Sequence, residues 1–250
     1  MRSPQRTHVI VDEQARFGSS GAGFTALGPA RVLDTRGTSP FFAGEVRVVS
    51  LAALGVPSSA MAAQLGLVAV PRGAAGYVSV LPCGEAVKTS ALNFDGARVA
   101  SSSALAAVRG GNICLFSSVA TDLVVDVAGY YDGGGAALSL IEPSRVLDTR
   151  SGQGGWLGMP SAGQVLRLEL ASMPGWQGSS AVAFNLTVVG ASAPNFARVW
   201  DCAGDPVHSS VNGDPDGAVA TFGVVRSGGS LCVMSTAPQH LIIDLVGVYR

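Results

Sequence analysis

An internal duplication constrains the fold of this chain more than any other feature. The sequence Arg-Val-Leu-Asp-Thr-Arg opens both copies, at residues 31–36 and again at residues 145–150. Each copy closes with an apolar run around one aspartate, Asp126 in the first copy and Asp244 in the second. A repeated block of this kind is one structural unit used twice, and each copy is long enough to bury its own core. The sequence therefore predicts an arm at residues 1–28, domains at residues 29–131 and 143–250, and a linker at residues 132–142.

Short runs rich in valine and alanine fill each copy, separated by glycine, proline, asparagine and aspartate. This spacing is typical of β-strands joined by turns, and no run shows the long 3.6-residue stripe of an amphipathic helix. Nearly continuous apolar runs at residues 124–127 and 242–245 indicate central strands. We therefore expect an all-β chain of two tandem β-sandwiches with Greek-key or jelly-roll connections. The polar, Gly/Ser-rich segment before them is expected to be an extended arm that docks on its own domain or on a partner.

Composition and charge exclude several classes of protein. The chain is 48% hydrophobic and only 13% charged, the opposite of a disordered sequence. Its net charge of −1 creates no basic field that would attract nucleic acid or an anionic membrane. No apolar run is long enough for a membrane-spanning helix, and the first residues lack the apolar core of a signal peptide. We therefore expect neither nucleic acid nor a membrane as a partner, and no signal peptide.

Four cysteines lie two per copy, and the spacing within each pair is nearly the same in both copies. This favours one disulfide per copy, Cys83 with Cys114 and Cys202 with Cys232, because zinc sites prefer close Cys-x-x-Cys pairs. Four buried free thiols are the alternative. Disulfides would indicate an oxidising destination, which the expected lack of a signal peptide does not explain.

Charged residues of the repeated motifs predict a link between the first and last strands of each copy. Asp34 and Arg36 are two residues apart and would share one face of a strand. Asp126 lies in an otherwise apolar strand, where an unpaired carboxylate would be costly. We therefore predict a structural ion pair between Arg36 and Asp126, repeated in the second copy by Arg150 and Asp244.

Two chemical alternatives to these ion pairs stay open at the level of sequence. Asp34, Asp126 and Asn93 would suit a calcium site, and paired carboxylates would suit acid–base catalysis. The chain has no Walker loop, no Gly-x-Gly-x-x-Gly after a strand and no His-Glu-x-x-His. His208 lies near Asp205, but neighbours in sequence rarely form a catalytic triad. We therefore expect a protein that is not an enzyme, with no catalytic residue, no metal and no cofactor.

All three tryptophans, Trp156, Trp176 and Trp200, fall in the second copy. Exposed aromatic rings stack on sugars and anchor protein interfaces, so these residues are candidate ligand-binding groups. The alternative is that they fill the core of the second copy or the contact between domains. Asn93 and Asn212 follow serine-rich stretches and are expected to cap turns.

The landmarks resemble a tandem Val-Leu-Asp-Thr-Arg β-repeat of secreted and surface proteins from actinobacteria and other bacteria, and of phage proteins. The resemblance covers residues 29–131 and 143–249. Its first and last motifs are specific, while the central Asn-x-Thr strand is missing from the first copy at Gly66 and Val68. In the second copy, Val248 stands where tyrosine is common. The resemblance implies an accessory module beside enzymes or on surfaces, and it supplies no catalytic residue.

Two functions follow as hypotheses. The first is a structural or adhesive protein on the exterior of an actinobacteriophage virion, as capsid decoration or tail component, anchored by the arm at residues 1–28. Its partners would be other virion or surface proteins and a host-surface glycan, with a homo-oligomer as a further option. The alternative is a secreted cell-surface module that binds polysaccharide.

Overall fold

The computed structural model describes residues 10–171, 173, 176, 178–204, 207–215 and 217–250. Almost every regular element in these ranges is a β-strand, which confirms the all-β prediction. No helix among them is long and apolar enough to cross a membrane. The strands of the first domain are Gly23–Asp34 (β1), Glu45–Ser50 (β2), Ala62–Pro71 (β3), Gly76–Leu81 (β4), Leu92–Phe94 (β5), Ala100–Ala107 (β6), Asn112–Ser117 (β7) and Thr121–Asp132 (β8).

The second domain repeats this series of strands. Its strands are Leu138–Asp148 (β9), Val165–Glu169 (β10), Ala181–Val189 (β11), Asn195–Trp200 (β12), Val211–Gly213 (β13), Ala218–Arg226 (β14), Ser230–Ser235 (β15) and His240–Tyr249 (β16).

Each domain is a sandwich of two four-stranded antiparallel sheets with jelly-roll topology. The first domain has the strand orders β1-β8-β3-β6 and β2-β7-β4-β5. The second has the equivalent orders β9-β16-β11-β14 and β10-β15-β12-β13. Alternate side chains of the two sheets form one apolar core in each domain. The two tandem sandwiches expected from the duplication are therefore confirmed.

The two domains pack through the outer faces of the sheets that contain β8 and β16. Phe24, Tyr131, Val224 and Tyr249 form a buried cluster between the sheets. Tyr131 and Tyr249 occupy equivalent positions near the ends of β8 and β16, and their hydroxyl oxygens are 2.7 Å apart. Because one face of β8 lines a core and the other meets the second domain, this strand is apolar on both faces.

The glycine of each closing motif leaves room for this packing. A Cβ at Gly129 would lie 2.3 Å from the ring of Phe24, and one at Gly247 would lie 2.9 Å from the side chain of Leu138. Phe24 and Leu138 stand at equivalent positions near the starts of β1 and β9, and both belong to the cluster between the domains. A larger residue at either glycine would displace a side chain of that cluster.

The strands begin earlier than the repeated motifs suggested. β1 starts at Gly23, within the predicted arm, and β9 starts at Leu138, within the predicted linker. The part of the arm at residues 10–22 is mostly exposed. It touches the first domain where the backbone N–H of Leu105 donates to Gln14 Oε1 at 2.9 Å. Residues 1–9 of the arm lie outside the described residues.

Both predicted disulfides are confirmed. Cys83 bonds to Cys114 and Cys202 bonds to Cys232. In the first domain the bond joins the segment after β4 to the central strand β7, and in the second domain it joins the segment after β12 to the central strand β15. We call the sheets that contain these strands, β2-β7-β4-β5 and β10-β15-β12-β13, the outward sheets.

Candidate functional site

The ion pair between the first and last strands of the first domain uses a different arginine from the predicted one. Arg31, not Arg36, binds Asp126, with Nε to Oδ1 at 3.0 Å and Nη2 to Oδ2 at 3.3 Å. Arg31 lies directly opposite Asp126 in the register of β1 and β8. Arg36 follows the end of β1 and folds back onto Asp34, whose Oδ1 accepts both its backbone N–H at 3.1 Å and its Nε at 2.9 Å. The predicted Arg36–Asp126 pair is therefore wrong because the strand ends before Arg36.

The second domain repeats this correction. Arg145, not Arg150, binds Asp244, with distances of 2.8 Å and 3.1 Å between nitrogen and carboxylate oxygen. Arg150 binds Asp148 at 2.9 Å and 2.8 Å. We call Arg31–Asp126 and Arg145–Asp244 the clasps, because each joins the first strand of its domain to the last.

The aspartates beside the clasps are held in their ionised form. The hydrogen bond from the Arg36 side chain lowers the pKa of Asp34 to about 2. Arg150 acts in the same way and holds the pKa of Asp148 well below its usual range. The calcium alternative also loses Asn93, which lies on β5 in the other sheet of the domain.

The three tryptophans pack into the second domain. Trp200 is only 5% exposed and packs against Cys232 and Met234, so it offers no free ring face, and its prediction as a ligand-binding residue is wrong. Trp156 and Trp176 are half-buried against the core of the second domain. The alternative that the tryptophans fill the core of this domain describes Trp156 and Trp176, whereas Trp200 lies in a separate buried cluster beside the disulfide.

An aromatic residue opposite an asparagine occurs at equivalent positions on the outward sheets of both domains. Tyr77 on β4 stands opposite Asn93 on β5, and Phe196 on β12 stands opposite Asn212 on β13. Because Val78 and Ala197 beside them point into the cores, both rings point outward. Each ring is partly exposed and lies beside a cleft.

The asparagines of these pairs are fixed by serines three residues earlier. Asn93 Nδ2 donates to Ser90 Oγ at 3.1 Å, and Ser209 Oγ donates to Asn212 Oδ1 at 3.3 Å. Asn93 and Asn212 lie on strands, so the expected role of the asparagines in capping turns is wrong. The two bonds join side chains to side chains. They also hold an amide beside each aromatic ring.

The cleft of the first domain has a volume of about 250 Å³. Its lining combines an aromatic ring, an amide, two hydroxyls, an ammonium group and one small apolar side chain. The ring of Tyr77 is also 5.7 Å from that of Phe116, which supports it from the neighbouring strand. The lining residues are Tyr77, Val87, Lys88, Thr89, Ser90 and Asn93.

The cleft of the second domain is larger, about 530 Å³, and the first domain forms one of its walls. Arg98 from the β5–β6 connection forms an ion pair with Asp214 across the domain boundary. The backbone N–H of Asn212 donates to Ser101 Oγ at 2.8 Å, again across the boundary. Arg198 lies near the ring of Phe196, 6.0 Å from its centre. The packing of the two domains therefore fixes the shape of this cleft.

His208 lies between the domains and is almost fully buried. Its Nε2 is 3.1 Å from the carbonyl oxygen of Val199. Within the described residues its Nδ1 has no hydrogen-bond partner. A small cavity of about 50 Å³ adjoins the ring and is also lined by Asp126 and Gln64. Burial lowers the pKa of His208, although the charge of Asp126 acts in the opposite direction.

The sequence analysis did not predict the aromatic–asparagine pairs, because each pair is formed by two strands that lie side by side only in the folded sheet. A signal was present, since Tyr77 precedes Cys83 by the same number of residues as Phe196 precedes Cys202. An aromatic residue at one repeated position, facing a repeated asparagine, would have indicated equivalent sites.

Comparisons with known proteins identify no family. No protein-family model matches the sequence, and no curated protein matches it. The fold is similar to the N-terminal CBM22-1–CBM22-2 tandem domain of Xyn10C from Paenibacillus barcinonensis, at 10% identity over 91% of this chain and 99% of that one, with a TM-score of 0.26. Procruciferin, an 11S globulin of Brassica napus, is similar at 12% identity over 90% and 84% of the two chains, with a TM-score of 0.18. TM-scores this low carry no conclusion about ligand or function.

Proposed function

We propose that this protein is an extracellular tandem module that binds polysaccharide through two equivalent clefts, one on each domain. The observation that carries the proposal is the recurrence of an aromatic ring opposite an asparagine, at Tyr77–Asn93 and at Phe196–Asn212. Both pairs lie on the sheets that do not form the main contact between the domains, and the first domain supplies one wall of the second cleft.

The chemistry of the clefts suits sugars. A sugar ring has an apolar face of C–H groups that packs on an aromatic ring, and its hydroxyls need hydrogen-bond partners at the edge. An asparagine side chain supplies two donors and one acceptor carbonyl. Tyr77 and Phe196 supply the rings, and Asn93 and Asn212 supply the amides. Shallow clefts of this composition suit an extended chain that lies across the sheet.

The disulfides and the charge agree with a place outside the cell. Disulfides persist in oxidising surroundings, and each domain has one. The net charge of −1 gives no general attraction to nucleic acid. The resemblance of the repeated motifs to surface proteins points to the same location.

We propose that the module acts by binding alone. A glycosidase needs one carboxyl group that is protonated at working pH and a second that is ionised. Asp34 and Asp148 accept hydrogen bonds from arginines that lower their pKa values, so both are poor proton donors.

The exposed arm supports a second function, attachment to a larger assembly. Ile10, Val11 and Phe17 are all more than half exposed on residues 10–22. Exposed apolar side chains on an extended segment favour burial against a partner. The partner would be a protein of a cell surface or a phage particle. Deleting residues 1–22 should abolish attachment and lower the Tm only slightly, because the arm makes few contacts such as that of Gln14 with Leu105. A truncated protein that still attaches would contradict this role.

The glycan proposal is tested by removing the rings. Tyr77→Ala and Phe196→Ala should each weaken retention in affinity gels that contain glucan, galactan, mannan or polygalacturonate. Loss of one of two sites should cost roughly 100-fold where one polymer engages both, and the double variant should not be retained. Phe222→Ala, which removes an exposed ring outside both clefts, is the matched control. Retention of the double variant at the wild-type level would overturn the proposal.

A further inference from the structure

We propose that the cleft of the first domain selects sugar units that carry a carboxylate, and that Lys88 binds this group. The proposal rests on the proposed function and assigns a ligand class to one of its two clefts. Lys88 is the only lysine in the chain, since every other cationic side chain except histidine is an arginine. It is exposed and lines the cleft beside Tyr77 and Asn93.

Within the described part of the chain, no carboxylate neutralises the charge of Lys88. None of the described residues forms an ion pair with it, and the cleft lining contains no carboxylate. Glu85, three residues earlier in the sequence, is engaged by Arg109. An ammonium group on a flexible stem beside an aromatic ring and an amide can reach a carboxylate on a sugar that stacks on the ring.

The position equivalent to Lys88 in the second domain holds an apolar residue and packs against the first domain. Counted from the matching cysteines Cys83 and Cys202, Val207 stands where the first domain has Lys88. The carbonyl oxygen of Val207 accepts a hydrogen bond from Arg31 Nη2 at 2.9 Å, so its loop packs onto the first domain. The equivalent loop of the first domain makes no such contact in the described structure and is open to a ligand.

The charges of the second cleft differ as well. Its cation from the first domain, Arg98, forms an ion pair with Asp214, which balances the charge at that wall. We therefore expect the cleft of the second domain to bind neutral units and the cleft of the first domain to prefer acidic ones. One chain would then recognise a polymer in which uronic acids and neutral sugars alternate or mix.

The size of the effect follows from exposure. An ion pair open to solvent changes affinity by at most about fivefold, and salt weakens it. The expected result is therefore a preference of roughly three- to fivefold at low salt, with binding itself carried by the ring and the amide.

The experiment measures binding of polygalacturonate and of its fully methyl-esterified form by isothermal titration. The full chain with Phe196→Ala is used, so that only the first cleft contributes. This protein should prefer polygalacturonate, Lys88→Gln in the same background should remove the preference, and Lys88→Arg should retain it. Equal binding of both polymers before Lys88 is changed, or an unchanged preference in Lys88→Gln, would overturn the assignment of Lys88 while the proposed function stands. If neither polymer binds and Tyr77→Ala changes retention of no polysaccharide, both proposals fail for this cleft.

Discussion

The two domains carry the same clasp but surround it differently. In the first domain the clasp meets the second domain, because Arg31 also donates to the carbonyl oxygen of Val207. The Asp126 side chain is 5% exposed, whereas that of its counterpart Asp244 is 24% exposed. The arginine–aspartate pair is thus the same in both copies, but only the pair of the first domain is covered by residues of the other domain. The same pair of residues can therefore contribute differently to the free energy of unfolding in the two domains, because its exposure to solvent differs.

The loops that follow the first cysteine of each pair differ in the same sense. In the second domain Val207 and His208 pack against the first domain and complete the cover over its clasp. In the first domain the equivalent Lys88 and Thr89 are exposed and line a cleft. One copy of the loop therefore holds the domains together, and the other is available for a ligand.

The largest effect should be equal in the two domains. The disulfides close loops of nearly the same length, 31 and 30 residues, so the loss of either should destabilise its domain by about 4 kcal/mol. Urea unfolding of Cys83→Ala/Cys114→Ala and of Cys202→Ala/Cys232→Ala would measure both. A clear difference between the double variants would show that the domains depend on their crosslinks unequally, against the shared topology.

The second prediction concerns the clasps, where the loss of stability should differ between the two domains. Asp126→Ala removes the covered carboxylate of the first clasp and leaves Arg31 with only Asp34 Oδ2 at 3.2 Å and the carbonyl oxygen of Val207. This change should cost about 2–3 kcal/mol. Asp244→Ala acts at an open site and should cost about 1 kcal/mol or less. Urea unfolding again measures both, and Arg36→Ala is the control because Arg36 is exposed and binds neither of these carboxylates. Equal losses in the two aspartate variants would contradict the importance of the cover.

The third prediction addresses the contact between the domains. Tyr131→Phe leaves the buried hydroxyl of Tyr249 without its partner and should cost about 1–2 kcal/mol. Tyr249→Phe should cost about the same. The double variant removes both hydroxyls and should cost no more than either single change, so the cycle gives a coupling energy of about that size. Additive losses would mean that the two hydroxyls do not depend on each other.

Much of the fold could be predicted from the sequence because its signals are local or repeated. The strand runs, the turns between them and the matching cysteines indicated two sandwiches with one disulfide each. The partner of Asp126 could not be found in this way, because it depends on where β1 ends and which residue the register places opposite. Spacing alone favoured Arg36, and the register selected Arg31.

The candidate site was harder to predict because it depends on packing. Trp200 looks like a ligand-binding residue in the sequence, yet the disulfide region covers its ring. The wall of the second cleft comes from Arg98 and Val99 of the other domain, which no pattern within one copy reveals. Only the aromatic–asparagine pairs left a trace in the sequence, through their fixed distance from the first cysteine of each copy.

The smallest effect should appear at His208, which has no titratable counterpart in the first domain. Burial lowers the pKa of His208 in the folded protein, so the unfolded chain binds more protons below its ordinary pKa of about 6.5. Stability should therefore be complete above that pH and should decline as the pH falls through and below it.

Thermal unfolding between pH 7.5 and 5.5 would measure this decline as a falling Tm. His208→Gln, which keeps a donor and an acceptor but does not titrate, should flatten the profile in this window. Asp34 and Asp148 do not interfere, because their lowered pKa values place their titration at much lower pH. A Tm that falls equally in His208→Gln would assign the pH dependence elsewhere, and the loop of the second domain would then hold the domains together without sensing protons.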